Sequence, residues 1–398
     1  MKYKKYLIIV IIFNFIWMSF AFMNFLYLRN NRENLTLEEV VALQTIDSDI
    51  LYGTAIYQNT IAYKLELLEK KRPKIITFGQ SRVMQFRGYF FSQPFLNLGG
   101  AWPNICLAKK VAEDIVKINK PEVVIISIDY WLFDSSPEYL GGDYNRENNR
   151  LAGIIKPWLW IFEKKISFSD YFKDLLYYDE YTEYIGVNGR YNKVGFGVDG
   201  SYYYNALVSG LSNDADLEFH STLHAINSKD WLFKPFSQMS AEKFGYFLDI
   251  LNFFSSQGVK VVLFMPPLAP TPYTHLKQKI SNYPYYQQVL HAFQKQDLFF
   301  ADFHDPETLE STNCEYLDGL HPGDTVYARI LLKLANIPQY KFLNSYINVE
   351  LLEEISRNYR DISFIPQKEN SPKEVDFLGI GCEKPRHIPL AQLITQKT

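Results

Sequence analysis

The feature that most constrains the fold of this chain is a set of short, almost wholly apolar runs separated by helical patterns. Val123 to Ile128 reads Val-Val-Ile-Ile-Ser-Ile, and Lys260 to Met265 is a second such run. Apolar runs without alternation are typical of a parallel sheet that is buried on both faces. Shorter β-rich runs lie at Lys74 to Phe78, Phe95 to Leu98 and Phe299 to Phe303. The pattern predicts an α/β fold, a three-layer sandwich around a central parallel sheet.

Helical patterns fall between these runs, as that fold requires. One helix is expected to begin at Pro103, and another is expected to begin at Ser240 and to end before Gly258. A closing helix is predicted over Thr325 to Ala335, with Asp324 placed to cap its first turn. Aspartate and serine are preferred residues at helix starts, and glycine is preferred just past helix ends.

The N-terminus carries an apolar run from Tyr6 to Leu28. At a rise of about 1.5 Å per residue, this length spans a bilayer core of about 30 Å. The flanking lysines and arginines favour residues 1–5 in the cytoplasm and the main domain outside it, periplasmic or at the cell surface. A cleaved signal peptide is the alternative, because Ser19-Phe20-Ala21 resembles a cleavage site. Since the apolar run continues to Leu28, a single-pass, uncleaved anchor over 6–28 is favoured.

The remaining chain is expected to divide into three segments. Residues 29–72 are acidic and amphipathic, with a capping-box pattern at Thr36, and predict a helical stalk. Residues 73–345 would form the α/β domain. Within it, residues from about 135 to 235 lack the alternation of strand and helix patterns. This segment predicts an insertion or cap over the sheet edge. Residues 346–398 carry several prolines and predict a tail packed along the domain or partly disordered.

Charge and cysteine content exclude some function classes. The formal net charge of −3 provides no basic field, so no nucleic-acid partner is expected. The three cysteines, Cys106, Cys314 and Cys382, are scattered. They have no metal-site spacing and allow at most one intramolecular bridge, whose partners the sequence does not indicate.

Two groups of side chains could be considered as metal ligands. His220 and His224 are four residues apart, as two ligands on one helix face could be, but no glutamate completes the usual motif. Asp302, His304 and Asp305 could also bind metal, but their position favours the end of a strand beside the mouth of a site. The sequence therefore predicts no metal site and no cofactor.

A serine loop follows the first predicted strand of the sheet, in the sequence Phe78-Gly79-Gln80-Ser81-Arg82. A serine in a tight turn between a strand and a helix exposes its hydroxyl. Its backbone N–H lies near a helix N-terminus, where developing negative charge is favoured. The alternative interpretation of Ser81 is an ordinary helix cap, since serine is a preferred capping residue.

Two further loops could bring polar groups to the same sheet edge, because ligands of open parallel sheets bind outside the carboxyl ends of the strands. Gly99 and Gly100 follow the next strand and offer backbone N–H donors, although a plain turn would look the same. Asp318-Gly319-Leu320-His321 lies before the closing helix. A histidine can take a serine proton, and a carboxylate can hold its tautomer. A solvated loop is the alternative here.

The order of these three blocks, Gly-x-Ser, Asn-x-Gly and Asp-x-x-His, resembles the SGNH/GDSL hydrolase superfamily. The resemblance covers roughly residues 73–336, apart from the insertion. The strings Gly-Gln-Ser-Arg and Asp-Gly-Leu-His-Pro are similar to those of membrane-anchored bacterial members that serve cell-envelope polymers. The resemblance implies a flavodoxin-like sheet and an acyl-ester chemistry.

The resemblance also implies roles for individual residues. Ser81 would be the nucleophile, and its N–H would join the oxyanion hole. Gly99 or Gly100 would supply a second N–H donor. His321 would act as base and then as acid, with Asp318 orienting its ring.

Two positions depart from the superfamily's pattern. The superfamily has an asparagine that completes the oxyanion hole, where this sequence has Asp129. An ionised carboxylate would repel an oxyanion, so Asp129 could instead bind a substrate hydroxyl. The superfamily usually has a later glycine where Trp102 or Pro103 stands, and Asn104 could supply the missing donor.

The function implied is acyl transfer through a covalent ester on Ser81. Water as acceptor would give an esterase, and a sugar hydroxyl would give an O-acyltransferase. The anchor and the aromatic-rich insertion favour an envelope glycan as substrate. The alternative is a non-catalytic helper that binds an envelope polymer or a membrane acyltransferase with the same fold, and Asp129 is the feature that favours it.

Overall fold

The structure is a computed structural model that describes residues 2–56, 59–137, 153–164, 166–177, 183–369, 371–384 and 389–390. The chain forms two compact units. The first, here called the N-terminal unit, comprises residues 1–59 and 145–198. The second, here called the sheet unit, comprises residues 60–144 and 199–398.

The regular elements follow one another in chain order. The helices are α1 (Lys2–Asn30), α2 (Leu37–Ile46), α3 (Thr60–Lys71), α4 (Ile105–Ile118), α5 (Lys156–Phe162), α6 (Phe168–Leu176), α7 (Val187–Asn192), α8 (Asn205–Val208), α9 (His220–Ser228), α10 (Ala241–Ser256), α11 (Pro270–Lys277), α12 (Pro284–Lys295), α13 (Asp324–Asn336) and α14 (Val349–Asn358). The strands are β1 (Leu51–Tyr52), β2 (Ile75–Gly79), β3 (Phe95–Gly99), β4 (Val123–Ser127), β5 (Tyr184–Ile185), β6 (Val194–Phe196), β7 (Tyr202–Tyr204), β8 (Lys260–Met265) and β9 (Ala301–Asp302).

The sheet unit is built on a five-stranded sheet in the order β3-β2-β4-β8-β9. Its neighbouring strands are parallel, with Ile76 opposite both Leu96 and Val124, and Val124 opposite Val261. The predicted parallel sheet is therefore confirmed. The strand expected over Phe299 to Phe303 is shorter than predicted, since only β9 pairs with β8.

Helices cover both faces of this sheet. Ile125 and Phe264 belong to one apolar cluster with residues of α13 and α14. Phe78 points to the other face, where its ring lies 4.9 Å from that of Trp102 and 6.3 Å from that of Phe254 in α10. Side chains of a strand alternate between faces, so a strand that is apolar at every position is buried on both sides. This burial explains the unbroken apolar runs in the sequence.

The predicted helix starts are partly confirmed. The Asn104 side chain accepts from the Leu107 N–H and caps α4, and the Ser240 side chain accepts from the Lys243 N–H and caps α10. The prediction for Asp324 was wrong, because Gly323 occupies the capping position of α13. The carboxylate of Asp324 is instead buried in an ion pair with Arg87.

The expected stalk over 29–72 is divided between the two units. Its second half, α3, packs against α4 and β3 and buries Leu65, Leu67 and Leu68. It is therefore a helix of the sheet unit and not part of a stalk. An amphipathic helix needs an apolar surface to cover its apolar face, and here α4 and β3 provide that surface.

The C-terminal segment also differs from the expected tail. Helix α14 packs against α13 and buries Leu352 and Ile355 completely. A disulfide joins Cys314 to Cys382, while Cys106 is a free thiol. Residues 346–384 are therefore largely part of the core of the sheet unit.

The N-terminal unit combines the start of the chain with residues 145–198 of the predicted insertion, so the insertion is not one body. Strand β1 pairs in parallel with β5 and antiparallel with β6. The buried Glu33 carboxylate accepts from the N–H groups of Ala55 and Val187 at 2.9 and 2.7 Å. The capping box of Thr36 with Glu39 at the start of α2 is confirmed.

Within the described part of the chain, one helix, Tyr3–Asn30, is long and apolar enough to cross a membrane, with a mean hydropathy of 2.3. Its apolar side chains are largely exposed as far as Met18, whereas Asn24 and Tyr27 are fully buried in the N-terminal unit. This distribution is compatible with a membrane anchor or a signal sequence. The orientation and the retention of this helix stay predictions.

Candidate active site

The Ser81 loop lies at the carboxyl end of the central strand β2. The strand ends at Gly79, and Ser81 is the first residue of a 3-10 turn, Ser81–Val83. A Cβ atom at position 79 would lie 2.7 Å from the Ser127 hydroxyl and 3.3 Å from Val83. A side chain at position 79 would displace the Ser127 hydroxyl, so glycine suits this close approach of the turn to β4.

Three side chains from two distant parts of the sequence meet at this turn. The Ser81 Oγ lies 2.8 Å from Nε2 of His321, although 240 positions separate the two residues. The Nδ1 of His321 lies 2.7 Å from Oδ2 of Asp318. Ser81, His321 and Asp318 thus form a continuous hydrogen-bonded series, within the range that a nucleophile and its base require.

The Asp318 loop fixes the histidine ring in a defined orientation. Oδ1 of Asp318 also accepts from the N–H groups of Leu320 and His321, at 2.7 and 2.8 Å. Burial opposes the ionised form, but the His321 ring and these N–H groups outweigh it and hold the pKa of Asp318 below its usual value. An ionised Asp318 keeps the proton on Nδ1, which leaves the Nε2 lone pair facing the serine hydroxyl.

The series lies at the surface of the sheet unit, where a substrate could reach it. The side chain of His321 is 16% exposed and that of Asp318 is 34% exposed, and Ser81 is half-buried. Within the described part of the chain, the Ser81 N–H donates no hydrogen bond. It begins the 3-10 turn and is therefore available to an oxyanion.

The two glycines expected to supply a second donor lie beside the serine loop, but their N–H groups are already used. Gly99 donates to Oδ1 of Asn97 at 2.7 Å, and Gly100 donates to the Gly79 carbonyl at 2.9 Å. A Cβ at position 100 would lie 2.3 Å from Met84 Cε, at a φ of +81°. These glycines therefore allow close packing on the serine loop, and they do not present free donors in this conformation.

Asn104 and Trp102 are also engaged in the fold. The Asn104 Oδ1 accepts from the Leu107 N–H at 2.8 Å as the cap of α4. Trp102 is 2% exposed, with its ring against Phe78. The cap uses the oxygen of the side-chain amide, and the expectation that Asn104 supplies a donor to the oxyanion stays a prediction.

Asp129, the residue at the position of the superfamily's asparagine, is buried in an ion pair. It is 1% exposed and pairs with the Arg82 guanidinium through Oδ1. Burial raises the pKa of Asp129, and Arg82 opposes that rise. The expectation that Asp129 contacts a substrate hydroxyl stays a prediction, although in this conformation the carboxylate is bonded to Arg82 and buried. The repulsion between Asp129 and an oxyanion is also reduced, because an adjacent cation neutralises the carboxylate.

Arg82 is a residue to which the sequence analysis assigned no role. Its Nε donates to the Leu320 carbonyl at 3.0 Å, and its Nη2 donates to the carbonyls of Pro266 and Pro267, the first at 3.0 Å. With Asp129, these contacts join the loops after β2, β4 and β8 to the histidine loop. The signal in the sequence was a charged residue beside Ser81 and an acidic residue at the end of the neighbouring strand, which together suggest a buried ion pair.

A second buried ion pair links the chain after Ser81 to the start of α13. Nε of Arg87 donates to Oδ1 of Asp324 at 2.8 Å, and both side chains are at most 2% exposed. The other carboxylate oxygen of Asp324 accepts from the Ile365 N–H at 3.1 Å. Since Asp324 is three residues after His321, this pair holds the histidine loop in register with the serine loop.

The histidine loop is also supported by residues 216–222, which belonged to the predicted insertion. Oδ2 of Asp216 accepts from the Gly319 N–H at 3.3 Å and from the Thr222 hydroxyl at 2.7 Å. A Cβ at position 319 would lie 2.5 Å from that hydroxyl. Gly319 in the Asp-x-x-His string is therefore required by packing.

The candidate metal ligands are not arranged as a metal site. In the part of the chain that the structure describes, no group of three or more histidine, cysteine, aspartate or glutamate side chains could hold a metal ion. His220 is 75% exposed and lies 3.8 Å from Glu218. His304 is buried among the rings of Tyr130, Tyr273 and Tyr286.

Neither a scan against protein-family models nor a search of curated proteins finds a match to this chain. The comparisons therefore add nothing to the geometry described above.

Proposed function

We propose that this protein is a serine-dependent acyl ester hydrolase or O-acyltransferase. The observation that carries the proposal is the hydrogen-bonded series from Ser81 through His321 to Asp318. A serine hydroxyl is a weak nucleophile unless a base lies within hydrogen-bond reach and a third group orients that base. Both conditions are met at one end of a parallel sheet, where ligands of this class of fold bind.

The proposed reaction proceeds in two steps. Nε2 of His321 takes the proton of Ser81 as its Oγ attacks the acyl carbonyl, and the Ser81 N–H donates to the oxyanion that forms. His321 then gives this proton to the leaving alcohol, and the acyl group stays on the serine. In the second step, water or a sugar hydroxyl gives a proton to His321 and attacks the ester. His321 then returns that proton to Oγ as the acyl product leaves, which restores free Ser81.

The proposed substrate is a glycan of the cell envelope, outside the cytoplasm, as acyl donor for an esterase or as acceptor for an O-acyltransferase. Two observations support an extracytoplasmic site. The helix Tyr3–Asn30 has the length and composition of a membrane anchor. The bond between Cys314 and Cys382 is of the kind that persists in oxidising compartments and is rare in the cytosol. The glycan itself follows from the resemblance of the motifs to envelope-acting hydrolases.

A non-catalytic helper of the same fold is the second candidate, and one observation favours it. The N–H groups of Gly99 and Gly100 are engaged within the chain, so the oxyanion would have the Ser81 N–H as its main donor. Loss of a single oxyanion donor can reduce kcat by a factor of about 100 to 1,000. A protein that only binds an envelope polymer or a membrane acyltransferase would need neither donor.

Hydrolysis of a soluble activated acyl ester by the full chain in detergent tests the proposal. Wild type should turn over the ester, and Ser81→Ala and His321→Ala should each lose that turnover by a similar factor, because members of one catalytic unit are not additive. Ser240→Ala, which removes a serine hydroxyl at a helix start away from the series, is the matched control and should retain activity. Equal activity in wild type and Ser81→Ala would favour the helper.

A further inference from the structure

Two helices of the N-terminal unit turn apolar side chains outward. In α5 the exposed residues are Leu159 and Phe162, at 49% and 78%. In α6 they are Phe168, Phe172 and Leu176, at 53%, 36% and 75%. The three residues of α6 are spaced four apart and therefore share one face of the helix. Single exposed apolar residues are ordinary, but five on two consecutive helices, here called the apolar row, indicate an interaction surface.

The opposite face of α6 is already packed, so its exposed face is fixed in place. Tyr171 is fully buried, and its hydroxyl donates to Oδ1 of Asn24 in α1 at 2.7 Å. Nδ2 of Asn30 donates to the Asp174 carbonyl at 2.7 Å. A rotation that buried the apolar row would break both hydrogen bonds.

The apolar row is continuous with the candidate membrane span. The ring of Trp17 lies 5.6 Å from that of Phe20, and Phe20 lies 5.2 Å from Trp158 in α5. Trp158 lies 6.0 Å from Phe168, which lies 4.8 Å from Phe172. A chain of aromatic rings therefore leads from the exposed part of α1 onto the outward face of α6.

The position of this contact along α1 corresponds to one boundary of a bilayer. A hydrocarbon core of about 30 Å needs about twenty helical residues, which counted from Tyr6 end near Phe25. Phe20, the residue that meets Trp158, lies within the last two turns of that length. Tryptophan is enriched at such boundaries. The exposed Lys164 and Lys173 near the apolar row could place their amines among lipid headgroups.

We propose that α5 and α6 lie on the surface of the same bilayer that α1 crosses. Leu159, Phe162, Phe168, Phe172 and Leu176 insert into the boundary between the headgroups and the acyl chains, as the apolar face of an interfacial helix does. The ligand of this surface is lipid. The N-terminal unit is thereby held against the membrane by more than its single span, and this inference does not depend on the catalytic proposal.

Spin labels on the full chain in phosphatidylcholine vesicles test this inference. Labels are placed at Phe162→Cys and Leu176→Cys, one on each helix, with Cys106→Ser removing the free thiol. Leu211→Cys, at a residue that is 74% exposed, is the matched control for a water-facing apolar position. Phe13→Cys, in the span itself, is the control for insertion. Collision rates with oxygen and with a water-soluble nickel chelate are then compared.

Labels at 162 and 176 should collide frequently with oxygen and several-fold less with nickel than the label at 211, approaching the ratio at 13. Nickel access equal to that at 211 would show that the row faces water and would overturn the inference. Exclusion of both reagents would show that another protein or a second copy covers the row, and would overturn it equally. Because the labels sit on two helices at exposed positions, misfolding of one variant leaves the other measurement intact.

Discussion

Ser81 and Arg82 are neighbours in the chain but have opposite environments. The serine hydroxyl lies at a surface that a substrate could reach, whereas the arginine side chain is 3% exposed and bonded to carbonyls of two other loops. A hydroxyl at this position can be removed with little effect on packing. A buried guanidinium cannot, because its loss leaves Asp129 as an unpaired charge away from water.

Arg82→Met should therefore destabilise the protein by about 3–5 kcal/mol, since it leaves a buried carboxylate without its partner. Lys109→Met, which removes one partner of the exposed pair with Asp249, is the matched control and should cost at most about 1 kcal/mol. The double variant Arg82→Met with Asp129→Leu should recover part of the loss. Denaturant unfolding of the full chain in detergent measures all three, and an Arg82→Met variant as stable as Lys109→Met would contradict the structural role.

The carboxylate of Asp318 should contribute to the pH dependence of stability. Its pKa in the folded protein is below the ordinary value of 3.8. The unfolded chain therefore takes up its proton first as pH falls, and the stabilisation is present above that value and is lost as pH falls through the lower pKa of the folded state. Wild type should be more stable than Asp318→Asn near neutral pH, and the difference should shrink below pH 3.8. A difference that stays constant down to pH 2 would contradict the assignment; thermal unfolding at successive pH values measures it.

The sequence identified the three polar residues of the series because each has a local signal. Ser81 follows a strand and a glycine, and Asp318 and His321 have a spacing that fits one loop. The environments of Asp129 and Arg82 could not be predicted in this way, since they depend on contacts between positions 47 apart. The engagement of the Gly99 and Gly100 N–H groups is also a matter of tertiary geometry that residue types do not reveal.

At the scale of elements, the buried strands were predictable and the peripheral helices were not. A run such as β4 is apolar at every position, which few structures other than a parallel strand accommodate. Helix α3 is amphipathic, and that pattern is the same for a stalk and for an outer layer of a sheet. Helix α14 lies in a proline-containing segment, where its buried Leu351, Leu352 and Ile355 are the only local signal. Pattern shows which face of a helix is apolar, but not what covers it.

The disulfide joins Cys382 in the C-terminal segment to Cys314, in the turn just before Asp318. Cys382→Ser should lower the stability by about 4 kcal/mol, because the bond closes a loop across a separation of 68 residues in the unfolded chain. Activity should fall as well, since Cys314 lies four residues before Asp318. Cys106→Ser is the control and should change neither property. Thermal unfolding under oxidising and reducing conditions measures the effect, and an unchanged melting temperature on reduction of wild type would contradict it.

For the whole molecule, the proposed function requires that the sheet unit lie outside the cytoplasm and that α1 be retained. A reporter that is active only after export, fused at the C-terminus, should be active. The mature protein should keep its N-terminal segment, because the apolar run extends beyond the possible cleavage site at Ala21. N-terminal sequencing of the membrane-bound protein checks this, and a mature chain that begins at Phe22 would contradict the anchor.

The central claim is that Ser81 is a nucleophile, and covalent trapping with a fluorophosphonate tests it most directly. An activated serine attacks the phosphorus, fluoride leaves, and the adduct stays on Oγ. Mass spectrometry of the labelled full chain should place the adduct on Ser81. Ser81→Ala should not be labelled, and His321→Ala should be labelled far more slowly because the base is missing. Wild type that resists the probe as completely as Ser81→Ala, or that carries the adduct on another serine, would contradict the account.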